Sequence, residues 1–334
     1  MAGLGGGVAA FVALTARWHG WFDLRVYHGA VRLWLDGGDL YAYREPGPQR
    51  NYGFTYPPFA AVCFVPLALL PFAAALAVIT AASVAGSAAL LWVWFRRWLP
   101  VMAGLILLVA LEPWRDTLSF GQINLVLLAL VGLDLLVLRR GPLVGLAVAV
   151  KLTPALFIGY LLIARRYREA FVAAGTALAA TGVAWLVAPG ASRRYWSGLV
   201  WQVSRVGRVG EPADQSLAGA LHRLHAPAEV WPLLALAVLL FWWTRVQAAG
   251  DWAGLALTGI AMCLVSPITW VHHLVWELPA LLLLWDRLRW VAVALAAVLA
   301  LRLVWLVPSL SLLTLTGLVL LAVVPRDRTS DVSS

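Results

Sequence analysis

Charged residues are scarce in this sequence, and long apolar runs take their place. Only 12% of the 334 residues are charged, about half the share usual in soluble domains, whereas 62% are hydrophobic. Residues 54–95, 170–192 and 252–276 contain no Asp, Glu, Lys or Arg. Such continuous runs suit helices that cross about 30 Å of hydrocarbon, and they lack the two-residue alternation of a membrane barrel. The sequence therefore predicts an all-α polytopic membrane helix bundle and excludes a soluble domain.

Cysteine is almost absent as well. Cys63 and Cys263 both lie in apolar runs, where they resemble small buried hydrophobic residues and imply no disulfide framework. The net charge of +9 would suggest nucleic acid as the partner of a soluble protein. Here the arginines form short clusters between apolar runs, as cytoplasmic loops and anionic headgroups favour. We therefore expect membrane lipids as partners, no nucleic acid, and a monomer.

The apolar runs predict about 10–12 transmembrane helices in one domain, residues 1–325, with the first helix at 3–18. Two polar intervals, 19–56 and 190–228, interrupt the runs, and residues 326–334 resemble a disordered tail. The arginine clusters lie at 139–140, 165–168, 245, 287–289 and 326–328. If these clusters and the tail are cytoplasmic, both polar intervals are extracytoplasmic loops. One run, 141–164, has arginines at both ends, so we expect two short helices, 141–150 and 152–164, that turn within the protein.

The first polar interval contains a predicted amphipathic helix that lies on the membrane surface. Its apolar face is formed by Leu24, Tyr27, Val31, Trp34 and Leu35. Its polar face is formed by Arg25, His28 and Arg32. Asp23 begins the helix. It is therefore either an N-cap, a role that aspartate fills well, or a chemical group at the outer surface of the membrane.

Three further places put polar side chains among apolar ones. Lys151 is the only lysine and stands in a run otherwise uncharged from 141 to 164, so it either faces a cavity or partner or extends to the interface. His272 and His273 suit phosphate or hydroxyl binding, with a metal or an interfacial role as alternatives, and Glu277 is expected to orient His273. Gln122 and Asn124 contact either sugar hydroxyls or a neighbouring helix.

Six motifs, in order along residues 19–325, resemble those of glycosyltransferase family 87. They are Asp23 with Val26-Tyr27, GGDLY at 37–41, FTYPP at 54–58, FGQINL at 120–125, KLTP at 151–154 and SPITWVHH at 266–273. The resemblance implies a GT-C fold and an inverting mannosyltransferase. Its donor would be polyprenyl phosphate mannose and its acceptor a lipid-linked mannan or phosphoinositide mannoside. The new linkage would be α-1,2, formed on the extracytoplasmic face of the plasma membrane.

The resemblance also implies roles for particular residues. GT-C enzymes use a carboxylate of the first external loop as general base, and Asp23 matches that position. Attack by a sugar hydroxyl needs such a base, whereas a departing phosphate needs cations rather than an acid. We therefore expect the donor phosphate to contact Lys151, His272, His273 and Arg25. The other expected substrate contacts are Tyr27, His28, Tyr56, Gln122, Asn124, Trp270 and Glu277.

No cofactor or divalent metal is expected for this chemistry. A lipid or sugar transporter or flippase is the leading alternative, because it would share the apolar runs and Lys151 could serve as a relay. Transporters often contain repeated halves, and we find none in this sequence. A non-catalytic scaffold for envelope synthesis is the third reading. It predicts that polar substitutions at Asp23 and Lys151 are silent.

Overall fold

The structure, a computed structural model, describes residues 19–46 and 52–326. Within these residues the chain is helical, and its only β-type pairing is an isolated bridge between Asp214 and Trp270. The predicted all-α class is therefore confirmed. The helix expected at 3–18 and the tail from residue 327 onward lie outside the described residues.

Helix boundaries follow the apolar runs closely. The first helices are α1 (Phe22–Leu35), α2 (Pro58–Leu69), α3 (Phe72–Phe95), α4 (Trp98–Ala110), α5 (Glu112–Phe120), α6 (Asn124–Leu133), α7 (Pro142–Val150), α8 (Leu156–Ile163) and α9 (Tyr167–Val187). The later helices are α10 (Pro189–Ser197), α11 (Leu217–Arg223), α12 (Val230–Val246), α13 (Asp251–Val265), α14 (Leu278–Arg287), α15 (Arg289–Ala300), α16 (Leu303–Leu306) and α17 (Leu312–Val323). A π-helical turn, Asp134–Leu138, extends α6. The 3₁₀ segments are Leu40–Ala42, Thr153–Ala155, Leu199–Trp201, Val203–Arg205, Val271–Glu277 and Pro308–Leu310.

Two of the described helices, α3 with 24 residues and α9 with 21, are long and apolar enough to cross a membrane. The pair α4–α5, bent by 80°, would be a third span if its two parts are taken together. Seven shorter apolar segments among the described residues have 10–17 residues each. A polytopic membrane bundle is thus confirmed, whereas the number of 10–12 spans stays a prediction.

Helices α7 and α8 form the expected hairpin of two short helices. Arg139, before α7, and Arg166, after α8, both pair with the carboxylate of Asp251, at 2.6 and 2.8 Å. Both ends of the segment therefore lie at the same end of the bundle. Lys151 follows α7 in an extended conformation, where the chain turns back. Nine helical residues rise about 14 Å, so Lys151 lies about 14 Å along α7 from the end where Arg139 and Arg166 meet.

The two ends of the bundle are held together by different contacts. At the end where Arg139 and Arg166 pair with Asp251, Arg245 also donates to the carbonyl of Val324, and the Gly250 amide donates to the carbonyl of Arg326. At the opposite end the two polar intervals contact each other: Tyr41 stacks on Tyr195 with 5.7 Å between ring centroids. Helix α13 connects the ends, from Asp251 beside the arginines to Val265 beside the cavity, a rise of about 22 Å.

Helix α1 is amphipathic, as predicted, but protein covers most of its apolar face. Leu24, Tyr27 and Val31 are buried, and the Tyr27 ring stacks on Phe64 of α2 at 4.6 Å. The expectation that this face lies on the membrane is therefore corrected for these three residues, whereas Leu35 is exposed. Asp23 is the second helical residue and makes no capping hydrogen bond, since the N-cap is Trp21. The N-cap interpretation of Asp23 is thus wrong.

Candidate active site

A cavity of about 450 Å³ lies between the two polar intervals and the ends of α5, α7 and α13. Its volume is within the range of small-molecule sites, about 300–1,000 Å³. The predicted site residues that line it are Asp23, Tyr27, Tyr56, Gln122, Lys151, Trp270, His272 and His273. Tertiary packing therefore brings together side chains from five separate segments of the sequence.

Asp23 presents a partly exposed carboxylate to this cavity, with 20% of its side chain accessible. Its Oδ2 accepts a hydrogen bond of 2.7 Å from Nε2 of Gln122. Burial raises the pKa of the Asp23 carboxyl from 3.8 to about 6, an effect that the Lys151 charge and the Gln122 hydrogen bond partly offset. Helix α1, which carries Asp23, is not among the spanning helices. A carboxylate with this pKa is ionised at neutral pH and basic enough to accept a proton.

Gln122 has an amide orientation fixed by its neighbours. Its Oε1 accepts hydrogen bonds from the hydroxyls of Tyr27 and Tyr56, both at 2.8 Å, and from the Ile123 amide at 2.8 Å. Because these groups donate, the carbonyl oxygen faces them and the NH₂ group faces Asp23. Gln122 therefore fixes the position of the Asp23 carboxylate through this hydrogen bond. The structure favours this role over simple helix packing.

Lys151 and His273 lie side by side on the cavity wall. The Lys151 Nζ donates to Oδ1 of Asn124 at 2.8 Å and to Nε2 of His273 at 3.0 Å, because an ammonium can only donate. Asn124 and His273 therefore orient the ammonium. A cation held in place on the cavity wall suits an anionic oxygen such as that of a phosphate.

His272 also faces the cavity, beside Asp23. Its Nε2 lies 3.9 Å from Oδ2 of Asp23 and 3.5 Å from Nε2 of Gln122. Its carbonyl accepts a hydrogen bond from Oγ1 of Thr117 at 3.0 Å, which fixes the backbone. Helical spacing predicted that only one histidine of the pair needs to face the cavity. Both histidines line it, within a 3₁₀ segment in which their rings lie 4.6 Å apart and perpendicular.

The structure does not bring Arg25 or His28 to the cavity. The exposed Arg25 guanidinium donates to the Gly20 carbonyl at 2.8 Å and lies over the ring of Phe72. His28 is buried, and its Nε2 lies 3.0 Å from the carbonyl oxygen of Leu70. Both residues point away from Asp23 because they lie on other faces of α1.

Asn124 and Glu277 are likewise absent from the cavity wall. Asn124 is fully buried, and it joins Lys151 to the backbone of His272, to which its Nδ2 donates at 3.4 Å. It supports the site without access to a substrate. Glu277 is 1% exposed and makes no contact with His273. The expected pairing fails because residues four apart do not share a face in a 3₁₀ helix, which has three residues per turn.

Comparison with known proteins identifies the class to which this chain belongs. The profile of glycosyltransferase family 87 matches residues 54–267. The chain belongs to glycosyltransferase family 87. This glycosyltransferase is 36% identical, over 79% of its length and 71% of the relative's, to a polyprenol-phosphate-mannose-dependent α-(1-2)-phosphatidylinositol mannoside mannosyltransferase of Mycolicibacterium smegmatis.

Two more relatives have similar names. The Mycobacterium tuberculosis enzyme of the same name is 36% identical over 91% of this glycosyltransferase and 76% of the relative. A pentamannoside mannosyltransferase of Mycolicibacterium smegmatis, also polyprenol-phosphate-mannose-dependent, is 35% identical over 79% and 68%. No solved structure matches the chain. Membership in the family confirms the enzyme interpretation, so the transporter and scaffold alternatives are set aside.

Sequence reasoning missed several residues that line the cavity of this glycosyltransferase. Asp116 and His19 form a pair there, with His19 Nε2 3.3 Å from Asp116 Oδ1. Arg205 is the one arginine of the second polar interval that lines the cavity, and it donates to the Phe54 carbonyl at 2.9 Å. A carboxylate next to the FGQINL motif was a usable signal for Asp116. Nothing in the sequence distinguished Arg205 from its neighbours.

Among the side chains of residues 19–46 and 52–326, no group of three or more His, Cys, Asp or Glu is arranged to hold a metal ion. The three cavity carboxylates have side-chain partners: Asp23 contacts Gln122, Asp116 contacts His19, and Glu211 accepts a hydrogen bond from Tyr52. That the reaction needs no divalent metal stays a prediction.

Proposed function

We propose that this glycosyltransferase transfers mannose from polyprenyl phosphate mannose to a mannose-containing lipid acceptor. The relatives' names, which state this donor and phosphatidylinositol mannoside acceptors, support the proposal. The observation that carries it is the arrangement of one cavity. A carboxylate able to accept a proton, Asp23, shares it with the Lys151 ammonium, which Asn124 and His273 hold in place.

The reaction needs one base and one anion-binding group. An acceptor hydroxyl attacks C1 of the mannose on the face opposite the phosphate, and Asp23 takes the hydroxyl proton. The bond from C1 to the phosphate oxygen breaks, and the electron pair leaves with polyprenyl phosphate. Lys151, which His273 orients, stabilises the charge that develops on that phosphate. Displacement from the opposite face inverts the β-linked donor into an α-1,2-linked product.

The substrates suit a membrane-embedded site. The helix rise to Lys151 is about 14 Å, about half of a hydrocarbon core, so in a bilayer a polyprenyl phosphate would enter sideways from lipid. The acceptor is a phosphatidylinositol mannoside or a related lipid-linked mannan, whose sugars would reach the cavity from the surface formed by the polar intervals.

The same geometry supports an extracytoplasmic reaction at the plasma membrane. Arg139, Arg166 and Arg245 gather at the end of the bundle opposite the cavity. Clusters of arginine favour the cytoplasmic side; the second polar interval also carries Arg193, Arg194, Arg205 and Arg208, and long loops follow this rule less strictly. The cavity and both polar intervals would then face outward.

The decisive experiment removes the proposed base. Asp23→Asn keeps the shape of the side chain and the contact with Gln122 but loses the basic oxygen. We expect transfer from radiolabelled polyprenyl phosphate mannose, measured in detergent with a soluble mannoside acceptor, to fall by about 10²–10⁴-fold. Asp36→Asn, an exposed position at the end of the same helix, is the matched control and should keep full activity.

Full activity of a folded Asp23→Asn protein would remove the base assignment. Absence of transfer by the wild-type enzyme in detergent would contradict the proposed donor. The same assay on intact spheroplasts, with an acceptor that cannot cross the membrane, tests the face: no labelling of that acceptor would exclude an outward cavity.

A further inference from the structure

The cavity has a second polar end that the transfer step does not use. Asp116, on α5, is 2% exposed yet lines the cavity, and its Oδ1 lies 3.3 Å from Nε2 of His19. Two aromatic residues, Phe120 and Trp305, line the same cavity. The His19 ring stacks on Phe120 with 3.9 Å between centroids. A buried carboxylate needs polar partners, and beside His19 the cavity leaves room for a further one, a polar ligand.

A series of rings separates this end from the proposed phosphate site. His273 and His272 are 4.6 Å apart, His272 and Phe120 are 4.9 Å apart, and Phe120 stacks on His19. Lys151 lies at one end of the series, and Asp116 lies at the other. A carboxylate repels a phosphate. The Asp116 end therefore suits a neutral ligand that donates hydrogen bonds.

Asp23 lies between the two ends, because its Oδ2 is 3.9 Å from the His272 ring in the middle of the series. In a displacement from the opposite face, the acceptor hydroxyl approaches the mannose from the side away from the phosphate and must touch the base. The rest of the sugar that carries this hydroxyl then lies beyond Asp23, on the side away from Lys151. Asp116 is on that side of the cavity.

We propose that Asp116 and His19 form a subsite for the acceptor sugar and bind the hydroxyls next to the attacking one. This inference rests on the proposed mannosyl transfer. Hydroxyls donate short hydrogen bonds to a carboxylate, about 2.5–2.7 Å, and these are roughly twice as strong as neutral ones. Phe120 and Trp305, which line the same cavity, offer apolar surface to the C–H groups of a hexose ring. The donor sugar is held elsewhere, through its phosphate.

The test is Asp116→Asn, which removes the charge and keeps the shape. Initial rates are measured against octyl α-mannoside as acceptor and against polyprenyl phosphate mannose as donor. We expect the acceptor KM to rise about tenfold or more, the loss typical of a hydrogen bond to a charged group. The donor KM should stay within about twofold, since the phosphate ligands are unchanged. Asp286→Asn, an exposed position on α14, should change neither value.

Deoxy acceptors separate direct binding from a structural role. Among the 3-, 4- and 6-deoxy forms of octyl α-mannoside, at least one should lose about tenfold in kcat/KM with the wild-type enzyme. With Asp116→Asn, the same deoxy analogue should have nearly the same kcat/KM as octyl α-mannoside, because the carboxylate that bound the missing hydroxyl is already gone. A merely structural role would leave the analogue penalties unchanged in the variant. If Asp116→Asn does not fold, as judged by size exclusion in detergent, His19→Gln is measured in the same way.

The outcomes are distinguishable from failure of the proposed function. Wild-type enzyme without any transfer contradicts the proposed reaction itself. Active wild type with an unchanged acceptor KM in Asp116→Asn, or with the donor KM raised instead, overturns the subsite alone.

Discussion

Replacement of Gln122 by leucine tests how this glycosyltransferase holds its base. The substitution keeps a similar volume and removes the Nε2 donor that lies 2.7 Å from Oδ2 of Asp23. That hydrogen bond stabilises the charged carboxylate, so its loss favours the protonated form. The buried hydroxyls of Tyr27 and Tyr56 also lose their acceptor, which should lower stability by about 1–3 kcal/mol.

The magnitude follows from the pKa of Asp23, which burial raises to about 6. A hydrogen bond to a charged group contributes about 1.5–3 kcal/mol, and one pKa unit corresponds to 1.36 kcal/mol. Gln122→Leu should therefore move the pKa of Asp23 to about 7–8. The base works only when ionised, so activity at pH 7 should fall about two- to tenfold and recover toward pH 9.

The measurement is the pH–rate profile of kcat/KM for the donor, in detergent, between pH 5 and 9. The acid limb should shift upward in Gln122→Leu and stay in place in Gln247→Leu, an exposed position just after α12. Thermal unfolding of both variants shows that each assay contains folded enzyme. A folded Gln122→Leu protein whose acid limb still lies near pH 6 would refute the role of Gln122 in positioning and stabilising the Asp23 carboxylate.

Two further substitutions test the anion site. Lys151→Met should lower kcat/KM for the donor by about 10²-fold or more, since it removes the charge beside the leaving phosphate. The control, Arg140→Met, removes an exposed charge and should leave kcat/KM unchanged. Equal effects of the two substitutions would show that Lys151 has no specific role. Arg25→Ala should reduce activity by less than about twofold, because that exposed guanidinium lies outside the cavity and solvent screens it. A loss of activity as large as that of Lys151→Met would show that Arg25 does take part in binding the donor phosphate.

Features that depend on local composition were readable from the sequence. A run of apolar residues must form a helix in lipid, because every backbone polar group has to be satisfied within the segment. For the same reason, a lysine or a histidine pair inside such runs signals an enclosed polar site, and Lys151, His272 and His273 all line the cavity. The arginines at both ends of residues 141–164 predicted the hairpin that Asp251 closes.

The partners of these residues were decided by tertiary structure. Gln122 contacts Asp23 across 99 positions of sequence, and Lys151 contacts His273 across 122, and no local pattern encodes such separations. Helical spacing also failed where the backbone was not α-helical, so that Glu277 misses His273. Arg25, which was expected at the phosphate, lies outside the cavity, whereas Asp116, which the sequence did not single out, lines it. Hydropathy states whether a side chain is costly to bury, but only the packed helices determine which polar group faces it.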